Sequence, residues 1–171
     1  VDRFVRPAYT APMKEQPTID HFWQSYLATL PPGQELPPQP EAWSFGDNPG
    51  LADELAALVL TGIKTATCSA LWAYEAEGEA LPQPGQLSII LSGAGRPLAV
   101  VETVQVRLKP YDQVDAAFAR DEGEEDRSLA SWRAAHRRFF TRTLPAIGRE
   151  FDETMPLVCE RFRVLFSLPK A

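Results

Sequence analysis

The sequence predicts an α+β fold on three observations. Three long segments carry apolar residues at helical spacing, four shorter runs are rich in aliphatic and β-branched residues, and turn or connector signals lie between them. With 171 residues, 44% hydrophobic and 23% charged, the chain is long enough for one domain burying about 70% of its unfolded surface, and too short for two comfortable ones. Residues 1–12 lack periodicity and Met13-Lys14 looks like a start, so 1–12 is set aside as a leader or expression remnant and 13–171 is taken as the domain.

From Thr18, a capping residue, Ile19, Phe22, Trp23, Tyr26, Leu27 and Leu30 form one wide apolar stripe, which predicts a helix over 18–30. Residues 31–40 hold five prolines and a glycine and must be an extended connector. Asn48 then caps a second helix over 49–61, with Pro49 in its first position, Leu51, Leu55, Leu58 and Val59 at helical spacing, and Gly62 just past its end. A strand is expected over 65–71, followed by a loop through Leu81-Pro82-Gln83-Pro84-Gly85. Strands at 86–91 and 98–108 are joined by a glycine-bearing hairpin connection, and a last strand is expected at 157–167. Between them lie a short helix over 112–120 and a longer one over 128–146, whose core stripe is Leu129, Trp132, Ala135, Phe139 and Phe140.

The stretch from Gly62 to Ser69 places a lysine and three hydroxyls where a helix gives way to a strand. Desolvation at such a turn lowers a lysine's pKa towards the range where the neutral amine is a base. Lys64 is therefore a candidate base, and Thr67 a candidate nucleophile activated by it. The alternative reading of the same residues is a solvated charge at a helix C-terminus followed by strand-forming threonines. As a turn lysine, Lys64 is expected to contribute little packing, so that Lys64→Ala leaves the fold intact. Residues 121–126 supply five carboxylates in six positions, either a solvated loop or the source of a partner for Lys64.

A net charge of −6 argues against non-specific coating of nucleic acid, which rests on Lys and Arg neutralising phosphates, although a local basic face remains open. Cys68 and Cys159 read as two small buried side chains in a reducing cytoplasm, and they make no metal motif with the two histidines. No metal and no cofactor are expected. No apolar run approaches the roughly 18 residues that a bilayer span requires, so no membrane association and a cytoplasmic location are expected.

Several of these stretches together resemble the ASCH domain family. They are Phe45-Gly46-Asp47, Ala52-Asp53-Glu54-Leu55, Gly62-x-Lys64-Thr65-Ala66-Thr67-x-Ser69, Tyr74-Glu75, Leu81-Pro82-x-x-Gly85, and the run from Glu122 through Trp132, Arg133, His136, Phe139 and Phe140. The resemblance covers about Trp43 to Phe166. It implies a small PUA-like β-barrel flanked by helices, here with an extra N-terminal helix, and a cleft for a nucleotide or nucleoside. It also implies one of three activities: RNA binding, ribonuclease action, or hydrolysis of acylated cytidine by a small amidohydrolase of this superfamily. That amidohydrolase uses a threonine, a lysine three residues before it, and a glutamate from a Glu-x-Glu pattern ahead of a helix. Carried over, these are Thr67, Lys64 and Glu124, with Glu125 open as the acid because the spacing to the following helix is one residue longer. Tyr74 or Trp72 is then expected to stack on the base, Arg127 to bind an oxygen of base or sugar, and Ser69 to contact substrate. The alternative partner is RNA, met by Arg133, Arg137, Arg138, Arg142, Arg161 and Arg163.

Overall fold

The computed structural model of the chain describes residues 17–168, and the segment 1–12 lies outside the described residues. The fold is α+β, as the sequence predicts. Helix α1 (Ile19–Leu27) opens at Thr18, whose Oγ1 accepts the His21 N–H at 3.2 Å. It ends before the apolar stripe does, since Pro31 disfavours helical backbone at the residue preceding it. Strand β1 (Ala42–Trp43), which the sequence reading does not foresee, pairs in parallel with Ile89 and Ile90. In helix α2 (Pro49–Leu60), Asn48 Oδ1 accepts the Leu51 N–H at 3.0 Å, and Gly62 follows in the left-handed region at φ 73°.

Strand β2 (Ala66–Ala70) leads directly into helix α3 (Leu71–Glu77), where the sequence reading sees only a strand end and a loop. Strands β3 (Leu87–Leu91) and β4 (Pro97–Pro110) form the expected antiparallel hairpin. The predicted helix at 112–120 is instead a 3-10 turn at Tyr111–Gln113 and helix α4 (Ala116–Glu122), which Asp115 caps by accepting the Phe118 N–H at 2.9 Å. Helix α5 (Leu129–Thr143) passes into a 3-10 turn at Leu144–Ile147, and strand β5 (Pro156–Ser167) closes the chain.

The strands form one mixed sheet in the order β1-β3-β4-β5-β2. It is open, with β1 and β2 as its edges, where the resemblance implies a closed barrel. The described residues divide into two compact units. One holds 17–60, Leu87–Glu102 and 164–168, and there α1 presses Phe22, Trp23 and Tyr26 onto Ile89, Leu91 and Val100. The other holds Thr61–Gln86 and Thr103–Arg163, and its core joins Ala66, Ala70, Leu157 and Cys159 from β2 and β5 to Phe118, Trp132, Phe140 and Leu144. Every residue of the site described next lies in this second unit.

Candidate active site

Lys64 leaves the turn after α2 just ahead of β2, and backbone hydrogen bonds hold its neighbour on two sides. Thr65 N–H donates to Asp121 O at 2.8 Å, and its carbonyl accepts the Phe162 N–H at 3.0 Å. The end of α4 thus lies directly against the lysine turn. Gly123 makes this approach possible: at φ 76° it terminates α4, and a Cβ there would stand 2.7 Å from Ile63 O and 2.9 Å from Ile63 C. Both acids flanking that glycine reach the lysine. Lys64 Nζ donates to Glu124 Oε1 at 2.6 Å, to Glu122 Oε2 at 3.4 Å and to the Glu122 carbonyl at 3.4 Å.

Exposure separates the two carboxylates. Lys64 and Glu122 are each 1% exposed, whereas the Glu124 side chain is 20% exposed. Lys64 is therefore neither a solvated charge nor a side chain of little packing, and that expectation is corrected. Its pKa is corrected too. Burial is the largest influence and pulls it down, as foreseen, but the charges of Glu124 and Glu122 outweigh it and the net shift is upward. Lys64 is an ammonium ion, not the neutral base that desolvation alone would make of it.

His136 extends the network. Its stripe on α5 is Trp132, His136 and Phe140, all buried, with the His136 ring stacked on Trp132 at a centroid distance of 4.2 Å. His136 Nδ1 lies 3.0 Å from Trp132 O, and because a carbonyl only accepts, Nδ1 carries the hydrogen. Nε2 then faces Glu122 Oε2 at 3.4 Å. Burial lowers the histidine's pKa, but the Glu122 charge and hydrogen bond raise it further, for a net rise. Burial likewise favours a protonated Glu122, yet Lys64 and then His136 hold it ionised well below the ordinary carboxylate range. The Cys68 thiol completes the group: its sulfur, a Glu122 oxygen and a His136 ring nitrogen lie within 4.8 Å of one another. The sequence reading gives no role to Glu122, His136 or Cys68. Its one available signal was the i, i+4, i+8 spacing of Trp132, His136 and Phe140, which puts an ionisable ring on an apolar stripe.

The remaining sequence candidates fall elsewhere. Glu125, at φ 49°, points to exposed Arg138 at 3.7 Å, so Glu122 rather than Glu125 shares Lys64 with Glu124. Asp121 binds Arg161 at 2.8 and 3.1 Å, while Asp126 Oδ1 accepts the Ser128 N–H at 2.9 Å and the Ser131 hydroxyl at the start of α5. Thr67 is half-buried and faces Glu160 across the β2–β5 ladder. Successive strand residues point to opposite faces, so Thr67 and Ser69 share one face of β2 while Cys68, next to Glu122, lies on the other. Tyr74 is buried within the unit. Arg149 covers the Trp72 ring at 4.9 Å, and the exposed Arg127, at φ 65°, donates to Arg120 O at 3.2 Å. The structure thus brings Lys64 and Glu124 together, and it does not bring Thr67, Trp72 or Arg127 into contact with that pair. Among the described residues no helix is long and apolar enough to cross a membrane.

Chemically, the arrangement is a buried cation shared by two carboxylates, of which Glu124 alone meets solvent. Comparison with known proteins shows the family. An ASCH domain from Lactobacillus crispatus JV V101 is similar at 37% identity and a TM-score of 0.80, covering 85% of this chain and 92% of its own. Protein EF3133 from Enterococcus faecalis V583 is similar at 38% identity and a TM-score of 0.78, covering 86% of this chain and 87% of its own. No functionally curated protein matches the chain. The ASCH domain model matches residues 41–166, which take in both Lys64 and its two carboxylates, and the chain belongs to the ASCH domain family.

Proposed function

We propose that this protein is an amidohydrolase that removes acyl groups from the exocyclic amine of N4-acylated cytosine nucleosides. The observation that carries the reading is the Lys64–Glu124 pair at 2.6 Å, which holds a carboxylate at the solvent-facing edge of a buried charge network. Glu124 is the proton carrier, and the hydrogen bond from Lys64 aims it. The Thr67 hydroxyl, assigned by resemblance, attacks the amide carbonyl and passes its proton to Glu124 by way of a bridging water, since the two side chains are not in contact. Collapse breaks the C–N bond, and Glu124 returns that proton to the departing N4 amine. Water, deprotonated in turn by Glu124, then hydrolyses the acyl ester on Thr67 and restores the hydroxyl.

The state of the basic residues supports a small neutral substrate over RNA. Arg137 pairs with Glu153, Arg138 with Glu125 and Arg161 with Asp121, so three members of the basic set already face carboxylates. The test is to incubate the protein with N4-acetylcytidine, N4-benzoylcytidine and a short RNA at low and moderate salt. Release of cytidine and the free acid, nearly independent of salt, is expected. RNA binding or cleavage that falls steeply with salt, with the acylated nucleosides left intact, contradicts the proposal.

A further inference from the structure

We propose that Cys68, Glu122 and His136 form a binding site for a divalent cation of the Zn2+ class, an inference that rests on none of the hydrolytic reading above. The three residues come from β2, the end of α4 and the middle of α5, and two of them, Glu122 and His136, are buried. Their ligand atoms already lie within 4.8 Å of one another. Bonds of about 2.0–2.3 Å from one ion to nitrogen, oxygen and sulfur require only a modest contraction of that group.

Two details independent of the cluster's composition favour a ligand there. The first is the histidine's orientation. Trp132 O takes the Nδ1 hydrogen at 3.0 Å, leaving Nε2 directed into the cluster, which is how an outer carbonyl fixes a metal-binding imidazole. The second is an unmatched oxygen. Glu122 Oε2 lies 3.4 Å from both Lys64 Nζ and His136 Nε2, while buried Oε1 takes no hydrogen from either, and the carboxylate's other neighbour is the weakly donating Cys68 thiol. A buried carboxylate oxygen with no better donor than a thiol is poorly compensated, and an ion on Oε1 supplies the missing partner.

The donor set selects the ion. Thiolate, imidazole and carboxylate together suit Zn2+ and disfavour Mg2+ or Ca2+, which take oxygen ligands. Three protein ligands leave a fourth position open. Binding displaces the Cys68 thiol proton, and any proton on His136 Nε2, to solvent. The Lys64 ammonium, 3.4 Å from Glu122 Oε2, stays neutralised by Glu124 at 2.6 Å. Cys159 stands directly opposite Cys68 in the β2–β5 register, which makes it the natural control for thiol specificity.

The experiment uses the whole chain, stripped with a chelator, kept reduced with a phosphine, and titrated with Co2+ as a spectroscopic probe and then with Zn2+. Expected are a thiolate-to-cobalt charge-transfer band that saturates at one equivalent, its disappearance on adding Zn2+, and a rise in melting temperature with Zn2+. Cys68→Ser, a near-isosteric change at a half-buried position, abolishes the band and the thermal shift, and Cys159→Ser leaves both in place. The inference is overturned if stripped protein shows neither band nor shift, or if the band survives Cys68→Ser.

Discussion

Replacing Lys64 by Met tests how much of the fold rests on the buried charge network. Met keeps most of the side-chain volume, so the change isolates the charge from a packing defect. The lysine is 1% exposed and shares two carboxylates, one of them equally buried. Removing one partner of a buried pair costs about 3–5 kcal/mol, because the other charge is left without compensation. Two features place this case near the lower bound: the Glu124 side chain, 20% exposed, can rehydrate, and His136 remains 3.4 Å from Glu122. About 3 kcal/mol corresponds to a fall in Tm of roughly 6–12 °C for a domain of this size. Thermal denaturation followed by circular dichroism, at neutral pH with chelator present, reads it directly. Adding Glu122→Gln to Lys64→Met should recover part of the loss, since the orphaned charge is then gone. A drop under about 2 °C for Lys64→Met would refute the reasoning that this lysine is structurally committed.

Gly123→Ala places a Cβ 2.7 Å from Ile63 O at φ 76°, and should cost at least about 1–2 kcal/mol and lower turnover by moving Glu122 and Glu124 off Lys64; an unchanged melt and rate would show that the loop tolerates the shift. Thr67→Ser should keep measurable hydrolysis of N4-acetylcytidine and Thr67→Val should lose it. Full activity in Thr67→Val would instead assign the attack to water activated at Glu124. Asp115→Ala should cost about 1 kcal/mol at neutral pH through loss of the α4 cap. The Lys109 hydrogen bond and then the Phe118 N–H hold the Asp115 carboxyl below its ordinary value. Its contribution is therefore present above about pH 4 and lost as pH falls through the folded value, so the Tm gap between wild type and variant should narrow on acidification.

The helices at 19–27, 49–60 and 129–143 and strands β3, β4 and β5 were legible because their apolar residues repeat often enough to fix a period. Helix α3 was not, because seven residues spanning fewer than two turns give no period to read. Lys64 stood out from its place between two elements, and Glu124 from resemblance. Burial of Lys64 was illegible: it is produced by α4 and Gly123, which lie far along the chain. The pKa of Lys64 was foreseen with the wrong sign, because the reading weighed desolvation alone, whereas the fold sets two of the carboxylates of 121–126 against the amine. Cys68, Glu122 and His136 sit in three separate stretches, so their meeting left no spacing signature. The face of Thr67 was readable in retrospect: Lys64, Ala66 and Cys68 share one parity at the start of β2, and Thr67 has the other.

The central claim, that Glu124 held by Lys64 carries the proton in amide hydrolysis, is tested most directly by single-turnover release of cytidine from N4-acetylcytidine by wild type, Glu124→Gln and Glu125→Gln. Protein concentrations are matched by folded fraction. Glu125 faces Arg138 at the surface, so Glu125→Gln should match wild type. Glu124→Gln should lose roughly 100-fold or more in rate, in keeping with the contribution of general acid–base catalysis, and should lower Tm as well, because the buried Lys64 then keeps only Glu122 as its charged partner. Equal rates for wild type and Glu124→Gln, or no cytidine release by folded wild-type protein, would contradict the account.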